Sequence, residues 1–166
     1  MSEQATRTQR FDFSAQSKKQ YEQLFGLSRA VKQTSELDAG LLHLVDIRAS
    51  LINGCAFCLD MHVKEARAHG ERELRIYHVP IWEESTLFTP KERAAFRWTE
   101  IVTRVSEAGV SEEDYAQARE HFSEKELSDL TFAVATINTW NRLAIASGSV
   151  PGSMDKAYGL DKAGLN

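Results

Sequence analysis

The sequence predicts an all-α domain of about six or seven helices. Glycine and proline number only nine and three in 166 residues, so few residues interrupt helix formation. Segments in which polar and apolar residues alternate, as they do in half-buried strands, are scarce. Apolar residues recur instead at spacings of three and four, which is typical of helices that bury one face. The length allows a sizeable core, so we expect residues 1–166 to form a single domain.

The first half of the chain is predicted to contain three helices after a flexible arm at residues 1–12. These helices cover residues 14–32, 37–52 and 55–69. In the second helix the apolar positions follow the rule i, i+3, i+4, i+7. Asn53-Gly54 is a turn signal that ends it, and either residue can cap the helix that follows. Gly70 is the stop signal of the third helix.

The second half is predicted to contain four more helices, followed by an irregular tail at residues 148–166. They cover residues 71–77, 89–107, 111–121 and 124–146. Thr89 precedes Pro90, a pair typical of a helix start because proline fits the first turn. Ser123 and Glu126 have the spacing of a capping box, in which each side chain satisfies a backbone N–H of the other residue.

The charge and hydropathy of the chain argue against several classes of partner. The net charge is −4 at a pI of about 5.8, and no long basic run is present, so we expect no binding to nucleic acids or anionic membranes. No apolar stretch reaches the roughly 18 residues that a membrane span needs. Residues 1–10 are polar and lack the apolar centre of a signal peptide, so a cytoplasmic protein with reduced thiols is expected.

The only two cysteines, Cys55 and Cys58, are close enough in sequence to form a disulfide with each other. His62 follows Cys58 at i+4, so the two side chains share one face of the predicted helix. Cys55 lies at the helix start, where free backbone N–H groups and the helix dipole lower the pKa of a thiol. The motif can supply a nucleophilic thiolate, a resolving thiol and a proton carrier, and it therefore favours thiol redox chemistry.

Two other interpretations of this motif stay open at this point. Buried cysteines often serve as small hydrophobic residues. Zinc is the stronger rival, because Cys55, Cys58 and His62 are three possible ligands and His43 on the preceding helix could be a fourth. The second ligand pair at short spacing that is usual in structural zinc sites is absent from the sequence. His43 approaches the cysteines if the two helices pack as a hairpin; otherwise it is an ordinary helix histidine.

Three stretches of the sequence resemble the AhpD-like alkylhydroperoxidase family, which belongs to the carboxymuconolactone decarboxylase superfamily. The longest is residues 44–62, LVDIRASLINGCAFCLDMH, and its string N-G-C-x-x-C-x-x-x-H is far more specific than C-x-x-C alone. The others are residues 122–127, FSEKEL, and 137–143, INTWNRL. The resemblance extends over roughly residues 10–155.

The resemblance implies an AhpD-like helical fold, assembly into a homo-oligomer, often a trimer or hexamer, and reduction of hydroperoxides. Cys58 would attack the peroxide and become a sulfenic acid, which Cys55 would resolve to a disulfide. His62 matches the motif histidine of the family and would belong to the proton relay. A dithiol or lipoyl-type partner protein would reduce the disulfide, and no cofactor or metal is expected.

Two positions depart from the usual pattern of the family. His43 lies twelve residues before the first cysteine, where the family usually has a glutamate that acts as general base; a neutral imidazole can accept a proton in its place. Phe57 lies where some members have a second histidine, and it cannot carry protons. From the last helix, Asn138, Trp140 and Asn141 are candidates to border the site, although helix packing is the favoured role for Trp140.

Two other functions are compatible with the sequence. A decarboxylase like the carboxymuconolactone enzymes does not need a cysteine pair, so the intact C-x-x-C motif argues against it. A non-catalytic redox sensor or oligomeric binding protein would use the same helices. The first and last helices carry more apolar residues than a small bundle needs to bury, which supports the expected oligomer.

Overall fold

The structure, a computed structural model, describes residues 8–165 and contains only helical secondary structure in that range. The α-helices are α1 (Phe13–Gln16), α2 (Lys18–Thr34), α3 (Ala39–Asn53), α4 (Ala56–Ala68), α5 (Glu73–His78), α6 (Pro90–Thr103), α7 (Val105–Ala108), α8 (Glu112–Arg119), α9 (Glu124–Ser147) and α10 (Asp155–Tyr158). Short 3-10 segments cover Val79–Ile81 and Leu160–Ala163. The predicted all-α class is confirmed. Within the described residues, none of the helices has the length and apolar character needed to cross a bilayer.

The helix starts predicted at Thr89 and Ser123 are confirmed. The hydroxyl groups of Thr89 and Ser123 accept hydrogen bonds from the backbone N–H of Glu92 and Glu126, whose carboxylates accept from the backbone N–H of the caps. Ser111 caps α8 in the same reciprocal way. These helix starts can be predicted from the sequence because the two residues of each capping box lie within one helical turn.

Two of the predicted helices are each divided by a single non-helical residue. The stretch predicted as one helix over residues 14–32 contains most of α1 and most of α2, separated by Ser17 at φ −122° and ψ 48°. The stretch 89–107 contains α6 and most of α7, separated by Arg104 at φ −104° and ψ 25°. Apolar periodicity averages over several turns, so it does not reveal a one-residue interruption.

Helix α3 lies at the centre of the fold and packs against α4, α6 and α9. Leu44, Val45 and Ile47 are almost fully buried, so the helix is apolar on more than one face. Val45 belongs to a cluster that includes Trp98, whereas Leu44 and Ile47 belong to a second cluster around Phe96. Packing on several sides fixes the carboxyl end of α3, from which the loop to α4 begins.

The segment after Gly148, predicted to be an irregular tail, is partly helical and packs on α4. Lys64 is 6% exposed, and its ammonium group contacts carboxylate oxygens of Asp60 at 2.9 Å and Asp155 at 2.7 Å. Leu160 is buried in the same segment. A buried lysine needs carboxylate partners because an unpaired charge is costly in a dry interior. The contact joins residues far apart in sequence, so local patterns do not predict it.

The described part of the N-terminal arm, residues 8–12, contacts the end of α9. The backbone N–H of Arg10 donates to the carbonyl of Ser147 at 2.6 Å, and its guanidinium donates to the carbonyls of Ile145 and Ala146. Free carbonyls at a helix C-terminus favour a cation, so this contact holds the arm against α9. Residues 1–7 of the predicted arm lie outside the described residues.

Candidate active site

The loop that carries the cysteines is set by the end of α3. Gly54 has φ 66° and ψ 31°, a left-handed conformation that favours glycine, and it is the C-cap of α3. Cys55 is the N-cap of α4, so the prediction that Asn53 or Gly54 caps this helix is wrong. The sulfur of Cys55 accepts from the backbone N–H of Cys58 at 3.3 Å. The known preferences of N-cap positions favour Asn53 or Gly54 over Cys55, because cysteine is not among the common N-cap residues.

A cluster of asparagines holds this loop against α9. The side-chain N–H of Asn53 donates to the amide oxygens of Asn138 at 3.0 Å and Asn141 at 2.8 Å. Asn141 is fully buried and donates in turn to the hydroxyl of Ser50 at 3.1 Å. The two asparagines of α9, predicted as candidates to border the site, therefore position the loop and do not line the cavity in front of α4.

Cys55 and Cys58 are joined by a disulfide, and their Cα atoms are 5.4 Å apart. Both residues are almost fully buried. Cys58 lines the cavity in front of α4, whereas Cys55 does not. Sulfur atoms bonded to each other are not thiolates, so the zinc site considered from two cysteines and two histidines is not assembled in this state. Helix α4 thus presents one sulfur of a disulfide to the cavity.

The cavity, which we call the chamber, has a volume of about 250 Å³ and is walled mainly by apolar side chains of α2, α4, α9 and the two terminal segments. The Phe, Tyr and Trp members of the wall are Phe13, Tyr21, Phe25, Phe57, Trp140 and Tyr158. Trp140, for which the sequence favours helix packing, packs edge-on against Tyr21 and also lines the chamber. The chamber is suited to an organic molecule with an apolar body.

His62 lines the same chamber as Cys58 and faces two carboxylates. Its Nδ1 is 2.9 Å from Oε2 of Glu65 and 3.6 Å from Oδ2 of Asp46. Burial alone would lower the pKa of His62, but the charge of Asp46 and the hydrogen bond to Glu65 together raise it above its ordinary value. The imidazole therefore keeps its proton to higher pH than a free histidine, and it can donate that proton to an anion that develops in the chamber.

A lysine completes this charged end of the chamber. Nζ of Lys32 is 3.2 Å from Oε2 of Glu65. Burial opposes the ionisation of Glu65, but the hydrogen bond and charge of His62, together with Lys32, hold the pKa of Glu65 at about 2. Burial raises the pKa of Asp46 despite the positive charges of His62 and Lys32. Two acids and two bases thus form a charged end of a mainly apolar chamber.

Helices α3 and α4 pack as a hairpin, and this packing brings His43 close to Glu65. Nδ1 of His43 is 3.9 Å from Oε2 of Glu65, and its ring centroid is 4.7 Å from that of His69. His43 is 6% exposed and is not among the residues that line the chamber. Burial, reinforced by the charge of Lys32, lowers the pKa of His43 to about 4, so the ring is neutral at neutral pH. A role for His43 as the base of the relay stays a prediction.

The sequence prediction omits three charged residues of this site: Lys32, Asp46 and Glu65. A signal for Asp46 exists, because it lies in the apolar stretch LLHLVDIRASL, where a carboxylate becomes buried and needs a partner. Glu65 follows His62 at i+3, a spacing at which helix side chains meet. Lys32 lies on α2, and no local pattern connects it to the cluster.

Proteins of known sequence or structure resemble the chain over most of its length. A model described as the carboxymuconolactone decarboxylase family matches residues 19–100. The uncharacterized protein YdfG of Bacillus subtilis (strain 168) is 39% identical over 126 residues, which make up 76% of this chain and 85% of YdfG. A protein of unknown function from Agrobacterium tumefaciens, linked by its description to the antioxidant defence protein AhpD, is 39% identical with a TM-score of 0.83. That match covers 87% of this chain and 98% of the other.

A more distant structure shares the fold. An uncharacterized peroxidase-related protein from Ralstonia eutropha JMP134, described as an alkylhydroperoxidase AhpD core, has a TM-score of 0.75 at 22% identity. The match covers 84% of this chain and 74% of that chain, and at this identity it bears on the fold alone. The match to the family model and the two relatives at 39% identity show that the chain is an AhpD-like member of the carboxymuconolactone decarboxylase superfamily.

Proposed function

We propose that the protein is a thiol-dependent peroxidase that reduces organic hydroperoxides with the Cys55–Cys58 pair. The observation that carries this proposal is that one sulfur of the disulfide and a histidine paired with carboxylates line the same apolar chamber. The reaction class also has the support of the Agrobacterium tumefaciens relative, whose description links it to antioxidant defence.

In the proposed first step, the Cys58 thiolate attacks the distal oxygen of the hydroperoxide. The sulfur donates an electron pair to that oxygen, the O–O bond breaks, and the leaving alkoxide takes a proton from His62 to become an alcohol. Cys58 keeps the transferred hydroxyl as a sulfenic acid. We assign the attack to Cys58 because it, and not Cys55, lines the chamber. The positive charge of His62 also stabilises the developing alkoxide.

In the second step, Cys55 resolves the sulfenic acid. The Cys55 thiolate attacks the sulfur of Cys58, hydroxide leaves and is protonated to water, and the disulfide forms. The overall change converts ROOH and two thiols into ROH, water and a disulfide. The backbone N–H of Cys58 lies 3.3 Å from the sulfur of Cys55, and a donor at this position favours the thiolate form.

The disulfide must then be reduced by an external dithiol. Both cysteines are at most 3% exposed, so the surface of a rigid protein partner reaches them poorly. A dithiol on a long flexible arm, such as a lipoyl group, can enter the chamber and attack the sulfur of Cys58. A lipoyl-type or other small dithiol partner is therefore the proposed electron donor.

A homo-oligomer belongs to the same proposal. Helices α2 and α9 expose large apolar side chains, among them Phe25, Leu27 and Phe132. Such side chains on two helices favour burial against another copy of the chain. Size-exclusion chromatography with light scattering tests this: a trimer or hexamer is expected, and a monomer at micromolar concentration contradicts it.

The function is tested by counting thiols in the reduced protein before and after one equivalent of cumene hydroperoxide. The wild type is expected to lose two thiols, and mass spectrometry should show a two-hydrogen decrease in the peptide that carries both cysteines. Cys58→Ser should abolish the oxidation, and Cys55→Ser should stop at a sulfenic acid that dimedone traps. If both single variants still consume peroxide, the mechanism is wrong.

The same test separates the rival functions. Thiols that do not react with peroxide would favour a decarboxylase, for which the family-model match is the supporting observation. Release of carbon dioxide from a carboxymuconolactone by the Cys55→Ser/Cys58→Ser double variant would then identify it. Rapid oxidation of the pair without turnover in the presence of dihydrolipoamide or another dithiol would favour a redox sensor.

A further inference from the structure

Three side chains of α3 and α4 place nitrogen and oxygen atoms around one point at the charged end of the chamber, and His43, which does not line the chamber, approaches one of them. Oε2 of Glu65 is 2.9 Å from Nδ1 of His62 and 3.9 Å from Nδ1 of His43. Nδ1 of His62 is 3.6 Å from Oδ2 of Asp46. Asp46, His62 and Glu65 each offer one ligand atom, and these three atoms lie within 4.8 Å of one another. One imidazole and two carboxylates therefore converge on a space that one ion can occupy, and His43 adjoins this group through Glu65.

The ring of His43 is the unexplained member of this group. It is 6% exposed, and its buried Nδ1 has no hydrogen-bond partner among the described residues. A buried polar atom without a partner costs free energy, and native proteins keep few of them. Nδ1 of His43 faces Oε2 of Glu65 at 3.9 Å, which is too long for a hydrogen bond and close to the separation of two ligands of one ion.

We propose that His43, Asp46, His62 and Glu65 bind a divalent transition-metal ion, for which Zn²⁺ is the probe. Bonds of about 2.0–2.2 Å from zinc to imidazole nitrogen and carboxylate oxygen place tetrahedral ligands about 3.3–3.6 Å apart. The observed separations of 2.9 Å for His62–Glu65, 3.6 Å for His62–Asp46 and 3.9 Å for His43–Glu65 bracket this range. His43 lies outside the group of three, so its ring must rotate toward the ion to become the fourth ligand. Two carboxylates neutralise the double charge of the ion in a buried place.

The ligand set differs from the zinc site considered from the sequence, which used both cysteines. Imidazole and carboxylate ligands do not depend on the redox state of Cys55 and Cys58, so the ion can bind while the disulfide is intact. The proposed peroxidase reaction requires no metal. The metal site therefore does not rest on that reaction and can be tested separately from it.

Lys32 is the charged group that competes with the ion. Its Nζ lies 3.2 Å from Oε2 of Glu65, where it neutralises part of the cluster. The side chain of Lys32 is 42% exposed and has a flexible stem, so it can move into solvent when an ion takes its place. Removal of this competing charge should strengthen metal binding.

Isothermal titration of Zn²⁺ into tag-free, fully oxidised protein tests the site. One ion per chain is expected to bind, and Asp46→Asn and His43→Leu should each weaken the affinity at least about tenfold. Lys32→Met should bind Zn²⁺ more tightly than the wild type. His121→Leu changes an exposed histidine outside the cluster, and as the matched control it should leave the affinity unchanged.

Cobalt gives a readout that needs no ligand variant. Bound Co²⁺ should show the visible absorption of a four- or five-coordinate ion without the sulfur-to-metal band that a cysteine ligand produces. The double variant Cys55→Ser/Cys58→Ser should keep the metal affinity although it loses the reaction with peroxide. The metal site and the peroxidase function can therefore fail independently of each other. The site is overturned if neither ion binds saturably, or if Asp46→Asn and His43→Leu, shown to be folded by circular dichroism, bind like the wild type.

Discussion

At the scale of single residues, the charge of His62 depends on the carboxylates that face its Nδ1. Burial lowers the pKa of His62, and the charge of Asp46, together with Glu65, raises it. A general acid is available only below its pKa, so the donor is lost as the pH rises through that value. A variant that lowers the pKa of His62 must therefore lose the donor at a lower pH.

Asp46→Asn keeps the shape of the side chain and removes its charge. The pKa of His62 should fall, so the basic limb of the pH profile for thiol oxidation by peroxide should move to lower pH. Stopped-flow measurement of the oxidation rate across pH 5–9 gives this profile. Asp161→Asn, the same substitution at an exposed position, should leave the profile in place. Superimposable profiles for Asp46→Asn and the wild type would contradict the proton-donor role of His62.

His43 should make the folded protein less stable in mild acid. The unfolded chain protonates this residue near its ordinary pKa of 6.5, whereas burial and Lys32 lower the pKa to about 4 in the folded protein. Between these values the unfolded state binds more protons, so protonation favours unfolding as the pH falls. Between pH 7.5 and pH 5, the unfolding free energy of the wild type should therefore fall by roughly 2 kcal/mol more than that of His43→Leu.

Urea denaturation at the two pH values measures this difference. His121→Leu removes an exposed histidine and should show no such gain. If the wild type and His43→Leu lose stability equally in acid, His43 is protonated as readily in the folded protein as in the unfolded chain.

At the scale of helices, the sequence predicts what lies within one turn and misses what depends on packing. Ser123 caps α9 as predicted because its capping partner is three residues away. Cys58 and His62 line one chamber, in keeping with their i, i+4 spacing. The contacts of Asp46 with His62 and of Lys32 with Glu65 were not predictable, because α2 and α3 meet α4 only in the packed fold.

The asparagine cluster leads to a prediction for the loop between α3 and α4. Asn53→Ala removes the hydrogen bonds to Asn138 and Asn141 and leaves two largely buried amide oxygens with fewer donors. The substitution should cost about 1–3 kcal/mol of unfolding free energy. It should also slow disulfide formation, because the loop positions Cys55. Urea denaturation and the rate of thiol loss with peroxide measure the two effects.

Gln117→Ala is a suitable control for this substitution. Its amide donates to Glu113 on the exposed side of α8, so its loss should change the unfolding free energy by less than about 0.5 kcal/mol. If Asn53→Ala is as stable as this control and oxidises at the wild-type rate, the conformation of Gly54 and the packing of α3 alone set the loop.

At the scale of the whole molecule, the chamber is assembled from segments that are distant in sequence. Phe13 and Tyr21 come from α1 and α2, Trp140 comes from α9, and Met154 and Tyr158 come from the C-terminal segment. The phenol oxygens of Tyr21 and Tyr158 are 3.3 Å apart, which joins the two ends of the chain across the chamber. The motif around the cysteines was therefore predictable, whereas the space that decides which hydroperoxide reaches them was not.

The chamber should select hydroperoxides by size, and two threonines of α9 provide matched sites to test this. The hydroxyls of Thr136 and Thr139 both donate to the carbonyl four residues earlier, but Thr136 is buried and lines the chamber whereas Thr139 is exposed. Thr136→Phe fills part of the chamber, so it should slow oxidation by cumene hydroperoxide at least about tenfold and affect hydrogen peroxide much less. Thr139→Phe should change neither rate. Equal slowing of both peroxides by Thr136→Phe, or no slowing, would show that bulky substrates reach Cys58 by another route.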